Sequence, residues 1–271
     1  MILLVWLILV FTIALLYARY IEPKWIFVRK IKIDTHRNIN GGRGLRIALL
    51  SDFHYPRAAS YELVRKAITK SSEFDPDIVL ILGDFFARSR FDPVSLPHNV
   101  QEVFGNIRSR LGVFGVLGNH DHSFSANAIQ DRIASDTQIR LIDNRAVPLE
   151  IEGSTIYLVG VGDLWSRNAN YEQAVKEVPQ ESAIVLLSHN PDVIEDISDS
   201  RILAQFSGHT HGGQIRLPFF GALRVPSKFG NKYSKGLIKT GTHPLYVNSG
   251  ICSVKNIRFL CPPEVTWVEL F

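Results

Sequence analysis

The chain has 271 residues, 46% hydrophobic and 21% charged, which is enough for one large domain or two small ones and excludes an intrinsically disordered chain. A formal charge of +4 and a pI near 9.1 permit an anionic partner without requiring one. Two cysteines, Cys252 and Cys261, exclude a disulfide scaffold and a zinc ribbon, and read as half-buried thiols of a reducing compartment.

Residues 2–17, ILLVWLILVFTIALLY, contain no charge, Gly or Pro. With Met1 and Ala18 the run would make about 27 Å of helix, just the length of a membrane span. No basic segment precedes it and no small-x-small site follows, so an uncleaved anchor over 1–20 fits better than a cleaved signal peptide or a core helix. Arg19, Lys24, Arg29, Lys30 and Lys32 all follow the span, which places the C-terminal side in the cytoplasm by the positive-inside rule, with the span in the inner (cytoplasmic) membrane. Tyr17, Tyr20 and Trp25 suit the interface. Residues 21–45, ending in the polar THRNINGGRG region, read as a juxtamembrane linker, and 46–271 as the soluble domain.

The first strand expected in that domain is Arg46–Leu50, stopping at Ser51-Asp52, followed by a helix over Ser60–Glu73 with Ser at its cap. DIVLILGD reads as a buried strand ending at Gly83-Asp84. A helix over His98–Arg110 leads to GVFGVLGNHDH, a further strand running into polar residues. VPLEIEGSTIYLVGVGD is a hairpin around Glu152-Gly153, and AIVLLSHNPD, ILAQFSGHTHGG, PLYVNSG and VTWVEL supply more strands. Strand, polar loop and helix recur, which implies an α/β fold (an α+β sandwich): two mixed sheets packed face to face, flanked by helices, with ligands bound at the C-terminal ends of strands.

Five strand ends carry one inventory: Asp52 and His54; Asp84; Asn119 and His120; His189; His209 and His211. In extended backbone, residues i and i+2 share a face, so Asp52/His54 and His209/His211 would each present two ligands, with Phe53 and Thr210 turned away. Gly208, Gly212 and Gly213 would let the second pair turn beside a crowded centre. The set exceeds one four-coordinate site and suits two ions sharing a carboxylate, a pair that clamps the oxygens of a displacement at phosphorus. Mixed His, Asp and Asn donors favour first-row ions, with manganese first and Fe, Zn, Co or Mg as alternatives.

SDFH, GDFF, GNHD, SHNPD and GHTHGG, in this order, resemble the motif set of the calcineurin-like metallophosphoesterases, over residues 46–271. YIEPKW and GHTHGGQIRLP are similar to a branch of bacterial membrane-associated phosphodiesterases, some of which hydrolyse UDP-2,3-diacylglucosamine in lipid A synthesis. The resemblance implies that Asp52, His54 and His211 hold one ion, that Asn119, His189 and His209 hold the other, and that Asp84 bridges. It implies that His120 protonates the leaving oxygen, or stabilises charge on it, while water activated at the ion pair attacks phosphorus. Asp121 and His122 would orient ligands from behind. The chain departs from many relatives in GDFFAR, where an Asp-Arg pair is common, so the phosphate contacts of Arg88 and Arg57 are open. It departs again at Cys252, which would pack near the site. His36, His98 and His243 have no expected part in it.

The implied activity is a phosphodiesterase or pyrophosphatase acting on a phosphate ester or lipid-linked nucleotide. Alternatives are another phosphodiester substrate, a nuclease, or a silent scaffold. A complete ligand set argues against the scaffold, and a membrane anchor without a long basic groove argues against nucleic acid. Oligomeric state carries no signal. Residues 200–263 contain no Asp or Glu but nine Lys and Arg, interleaved near the middle with Phe219 and Phe220. That stretch is either a strand-rich segment with a solvated basic face, or a loop that dips into the membrane interface and guides an acylated substrate.

Overall fold

A computed structural model describes residues 1–35, 39, 42–56, 58–87 and 96–271. Two six-stranded sheets lie face to face. In the first, β2 (Leu45–Leu50), β3 (Ile78–Ile81), β4 (Val113–Gly115) and β5 (Ile139–Leu141) run parallel. β14 (Glu264–Leu270) pairs antiparallel with β2 and parallel with β1 (Phe27–Ile33), which forms the edge. In the second, β7 (Ser154–Val161), β8 (Ala183–Ser188), β9 (Ile202–Ser207) and β13 (Leu245–Val247) are parallel, with β6 (Arg145–Ile151) and β12 (Gly236–Ile238) antiparallel at the edges. A two-stranded ribbon, β10 (Arg216–Leu217) and β11 (Gly221–Ala222), stands apart.

The alternation of side chains along β2 shows why all of its residues but Arg46 are apolar. Ile47 and Leu49 enter the core between the sheets, with Leu80, Leu158, Leu187, Phe206 and Val268. Ala48 and Leu50 face the opposite way, into a core covered by α2 (Tyr61–Ser72), α3 (Val100–Phe104) and α4 (Asn119–Asp136). A strand buried on both faces has no polar side to display. The outer face of the second sheet packs beneath α5 (Tyr171–Val175) and a 3-10 turn at Pro191–Glu195. The order is helix, sheet, sheet, helix, as the strand-and-loop pattern implies.

Local signals are realised closely in two places. Ser60 caps α2, its hydroxyl accepting from Leu63 N–H at 3.3 Å. Glu152 and Gly153 both take positive φ, 45° and 81°, as a two-residue hairpin between β6 and β7 demands.

Three expectations need correction. Residues 27–33, expected in a linker, form β1: FVRKIKI sets three cations among apolar residues, which suits a sheet edge guarded by cations. Arg29 and Lys32 lie against Glu264 and Glu269 of the neighbouring strand, at 3.6 and 2.9 Å. The helix expected over His98–Arg110 covers only Val100–Phe104, and Ile107 is buried from irregular backbone. Both cysteines are fully buried rather than half-buried.

At the N-terminus α1 (Ile2–Leu16) continues as a helical run to Lys24, 23 residues that are long and apolar enough to cross a membrane. Its apolar side chains are exposed along its length. Its end is not free. Ala18 is buried and its carbonyl accepts from Arg258 N–H at 2.9 Å; the Tyr17 ring meets that of Phe259 edge-on. The buried Glu22 carboxylate accepts from the backbone N–H groups of Leu260 and Cys261.

Candidate metal centre

All the loops that matter leave the C-terminal ends of parallel strands. β2, β3 and β4 lead to Asp52/His54, Asp84 and Asn119; β8 and β9 lead to His189 and to His209/His211. Backbone hydrogen bonds tie these loops together: Asp52 N–H to the Gly83 carbonyl, His54 N–H to that of Asp84, and Gly208 N–H to that of His189, each 3.0 Å. The candidate ligand atoms therefore converge from both sheets.

Asp84 lies at the middle. Its Oδ2 is 3.2 Å from His54 Nε2 and 3.3 Å from His189 Nε2. Asp52 Oδ1 is 3.6 Å from His211 Nε2 and 3.9 Å from His54 Nε2. On the other side, His189 Nε2 is 3.3 Å from both Asn119 Oδ1 and His209 Nδ1. Asp52 Oδ1 and His54 Nε2 are buried and have no hydrogen-bond partner among the described residues. Orphaned donors and acceptors facing one another inside a protein are costly unless something else satisfies them. A cation between them does so.

Three of the candidate ligands are held from behind. Asp52 Oδ2 accepts from Ser51 Oγ at 2.6 Å and from His209 N–H at 3.1 Å, which turns Oδ1 inward. Asp84 Oδ1 accepts from His120 N–H at 2.9 Å, leaving Oδ2 for the centre. His189 Nδ1 lies 2.6 Å from the Leu82 carbonyl, which fixes the tautomer that presents a bare Nε2. Asp121, buried in the first turn of α4, accepts from Phe85, Phe86 and Gly118 N–H and so braces the loops carrying Asp84 and Asn119. Burial, and then the charge of Asp84, push the acid of Asp121 up to about 7.

The electrostatics favour positive charge. Burial alone would depress the proton affinity of His189, but Asp84, then Asp52 and Asp163, outweigh it and raise its pKa to about 10. The field that draws a proton there also draws a metal cation. Burial, then the charge of His189, lowers His209 to about 3, so its ring is a neutral donor. Burial and the neighbouring His54 likewise hold His211 well below the ordinary imidazole range.

The His209–His211 turn follows from its glycines. A side chain at Gly208 would collide with Ser51 Oγ and sit 2.8 Å from Asp52 Oδ2. Gly212 has φ +61°, and a Cβ there would lie 2.5 Å from Cys261 Sγ. The two histidines share the site through left-handed backbone, φ 69° and 51°, and not through extended alternation; Asp52 and His54 do the same, at 53° and 46°. Phe53 nevertheless enters the core, and Thr210 turns away to the Ser234 carbonyl at 2.7 Å.

A family model described as calcineurin-like phosphoesterase matches residues 45–213. The chain belongs to that family. A calcineurin-like phosphoesterase is a metal-dependent phosphoester hydrolase that binds divalent ions, and the His/Asp clusters here could hold them. The phosphoesterase is 32% identical over 92% of its length, and 87% of the other chain, to the uncharacterized metallophosphoesterase YkuE of Bacillus subtilis. It is 30% identical to the phosphodiesterase YaeI of Escherichia coli, covering 94% and 92% of the two chains. It is 26% identical to the UDP-2,3-diacylglucosamine pyrophosphatase LpxG of Chlamydia trachomatis, covering 92% and 90%.

The seven residues expected as ligands thus meet in one buried centre. His120 lies at its exposed rim with its ring edge-on to His54, centroids 4.6 Å apart, and also within ligand reach of His54 and Asp84. Cys252 packs beside the centre as expected, Sγ 3.7 Å from His211 Nδ1. Arg57, Arg88 and His36 lie outside the described residues. Phe219 and Phe220 do not line the centre; they stand exposed at the tip of the β10–β11 ribbon. His243 is buried against Gln205, and His98 is exposed. Sequence reasoning overlooked Trp165, 48% exposed, whose ring stands edge-on to His209 at 4.3 Å. The signal was available: GVGDLW follows a strand, β7, at the same sheet edge as the ligands.

Proposed function

We propose that the chain is a membrane-anchored hydrolase that cleaves a phosphodiester or pyrophosphate bond at two divalent ions, its substrate a lipid-linked nucleotide such as UDP-2,3-diacylglucosamine. The observation that carries this reading is Asp84 Oδ2, set between His54 Nε2 and His189 Nε2 at 3.2 and 3.3 Å, the position of a shared carboxylate. Asp52, His54, Asp84 and His211 would hold one ion, and Asp84, Asn119, His189 and His209 the other. Manganese suits this mixed donor set, as do Fe, Zn and Co. Such ions supply Lewis-acid polarisation of phosphoryl oxygens and a water nucleophile at neutral pH.

The chain's own residues do the rest. His120, at the open rim, donates a proton to the departing oxygen, which a poor leaving group needs and a good one does not. Trp165, beside His209, walls the opening and offers an aromatic face to the substrate. Lipid linkage is supported by the apolar helix Ile2–Lys24 and by the similarity to LpxG. The cations that follow the helix orient the catalytic domain toward the cytoplasm, at the inner membrane.

Detergent-purified protein, loaded with Mn2+, should be assayed against UDP-2,3-diacylglucosamine beside an aryl phosphodiester. Faster turnover of the nucleotide lipid supports the reading. Turnover of the aryl ester alone keeps the hydrolase and removes the lipid substrate.

A further inference from the structure

The end of the apolar helix, the segment 254–260 and the β10–β11 ribbon form one continuous surface. Ala18 carbonyl accepts from Arg258 N–H, and Arg19 Nη1 donates to the Asn256 carbonyl at 3.1 Å. The next backbone across is the metal-binding loop's own continuation: Phe259 N–H donates to the Gln214 carbonyl and Arg216 N–H to the Phe259 carbonyl, both 2.9 Å. Leu223 N–H then closes the ribbon onto the Ile215 carbonyl. Two steps of backbone hydrogen bonding thus separate the helix end from the ribbon.

The strip is anchored inside as well. Arg258 is fully buried, and its guanidinium donates to the carbonyls of Ser249, Gly250, Cys252, Cys261 and Pro262. It is therefore a structural clamp and not one of the surface cations. Cys252 packs on His211, and Arg216 Nη1 donates to the Gly212 carbonyl at 2.8 Å. Helix end, ribbon and metal-binding loop are tied into one unit.

What this strip shows to its surroundings is apolar. Tyr20, Val254, Leu260, Leu217 and Leu223 are exposed, Phe220 is 80% exposed and Phe219 fully so. Arg19, Arg224 and Lys255 lie exposed among them. Large apolar side chains ringed by cations, beside a helix that itself displays apolar residues all round, match an acyl boundary beneath anionic head groups.

We propose that the β10–β11 ribbon is a second membrane contact, its Phe219–Phe220 tip seated in the same leaflet interface as the end of the N-terminal helix. Two contacts on one rigid unit fix the tilt of the domain and hold the metal centre beside the bilayer surface, where a membrane-borne phosphoester reaches it without leaving the lipid. The inference rests on the reading of the N-terminal helix as a span.

The test uses the full chain in phosphatidylcholine vesicles containing phosphatidylglycerol. Because both native cysteines are buried, Phe219→Cys, Leu7→Cys and Glu181→Cys can each be labelled singly with an environment-sensitive fluorophore. Glu181 is exposed and precedes β8, at the sheet end opposite the metal centre. Lipids spin-labelled near the head group should quench the probe at 219 several-fold more than the probe at 181, and lipids labelled deep in the chain should quench the probe at 7. Quenching at 7 with equal weak quenching at 219 and 181 overturns the ribbon contact alone. No quenching at 7 overturns the span, and this proposal with it.

Discussion

Asp84→Asn is the sharpest perturbation of the proposed centre, because it keeps the side chain's shape and removes one charge. The Asp84 side chain is buried, and its Oδ1 accepts from His120 N–H, a bond that an amide oxygen also accepts. What changes is Oδ2, flanked by His54 Nε2 and His189 Nε2 at 3.2 and 3.3 Å. A cation shared with either imidazole lies within a few ångströms of that oxygen. One pair of unit charges at about 4 Å is worth about 4 kcal/mol at an effective dielectric near 20, and more for a divalent ion. The amide dipole and the remaining ligands recover part of this, so a net loss of about 4 kcal/mol per ion is a fair order of magnitude. That is roughly a thousand-fold in affinity. Elemental analysis after dialysis, beside far-UV circular dichroism and a thermal melt, reads the outcome. The variant should stay folded, lose both ions and lose activity by orders of magnitude. Two tightly held ions in folded Asp84→Asn protein would refute the bridging role.

His120→Ala should keep both ions and lose about 10²–10⁴-fold in turnover of poor leaving groups, and much less for an aryl ester; lost metal would make His120 a ligand instead. Glu22→Ala leaves the N–H groups of Leu260 and Cys261 without their carboxylate, at about 1–3 kcal/mol for each group left bare, or a few degrees of melting temperature in a chain of this size; an unchanged melt in detergent would return the segment to the status of a linker. Glu181→Cys should react with a membrane-impermeant maleimide only after cells are permeabilised, and labelling of intact cells would invert the proposed topology.

Periodicity carried most of the fold, and its failures have physical causes. The central strands β3, β4 and β8 are apolar runs leading to polar residues, because burial on both faces leaves little other composition. Val100, Val103, Phe104 and Ile107 of the expected 98–110 helix keep a helical spacing and are all buried, but the helix itself makes only one turn and a half. β1 was hidden for the opposite reason. Its cations invite a reading as membrane flank, although cations on an edge strand are common, and its partner β14 lies more than two hundred residues away. No local pattern reports a partner at that distance. The same holds for Glu22, whose two backbone donors come from the far end of the chain.

The candidate ligands were legible as residue types, but the geometry that joins them was not. Alternation in extended backbone puts Asp52 with His54 and His209 with His211, yet Asp52, His54, Asp84, His209 and His211 all adopt φ between 46° and 69°. Left-handed backbone costs a non-glycine residue roughly 1–2 kcal/mol. Five such residues amount to roughly 5–10 kcal/mol, comparable to the whole net stability of a typical domain. A conformation that costly persists only where its surroundings over-determine it. Here they do: Asp52 N–H and His54 N–H bond to the Gly83 and Asp84 carbonyls, and Cys252 N–H bonds to the Asp52 carbonyl. The strain is concentrated on the residues whose side chains must converge, while Asn119 and His189 reach the centre from ordinary backbone. Propensity alone would fill these five positions with glycine. That Asp and His stand there instead argues that the chemistry of their side chains, and not the folding of the loops, dictates the residues.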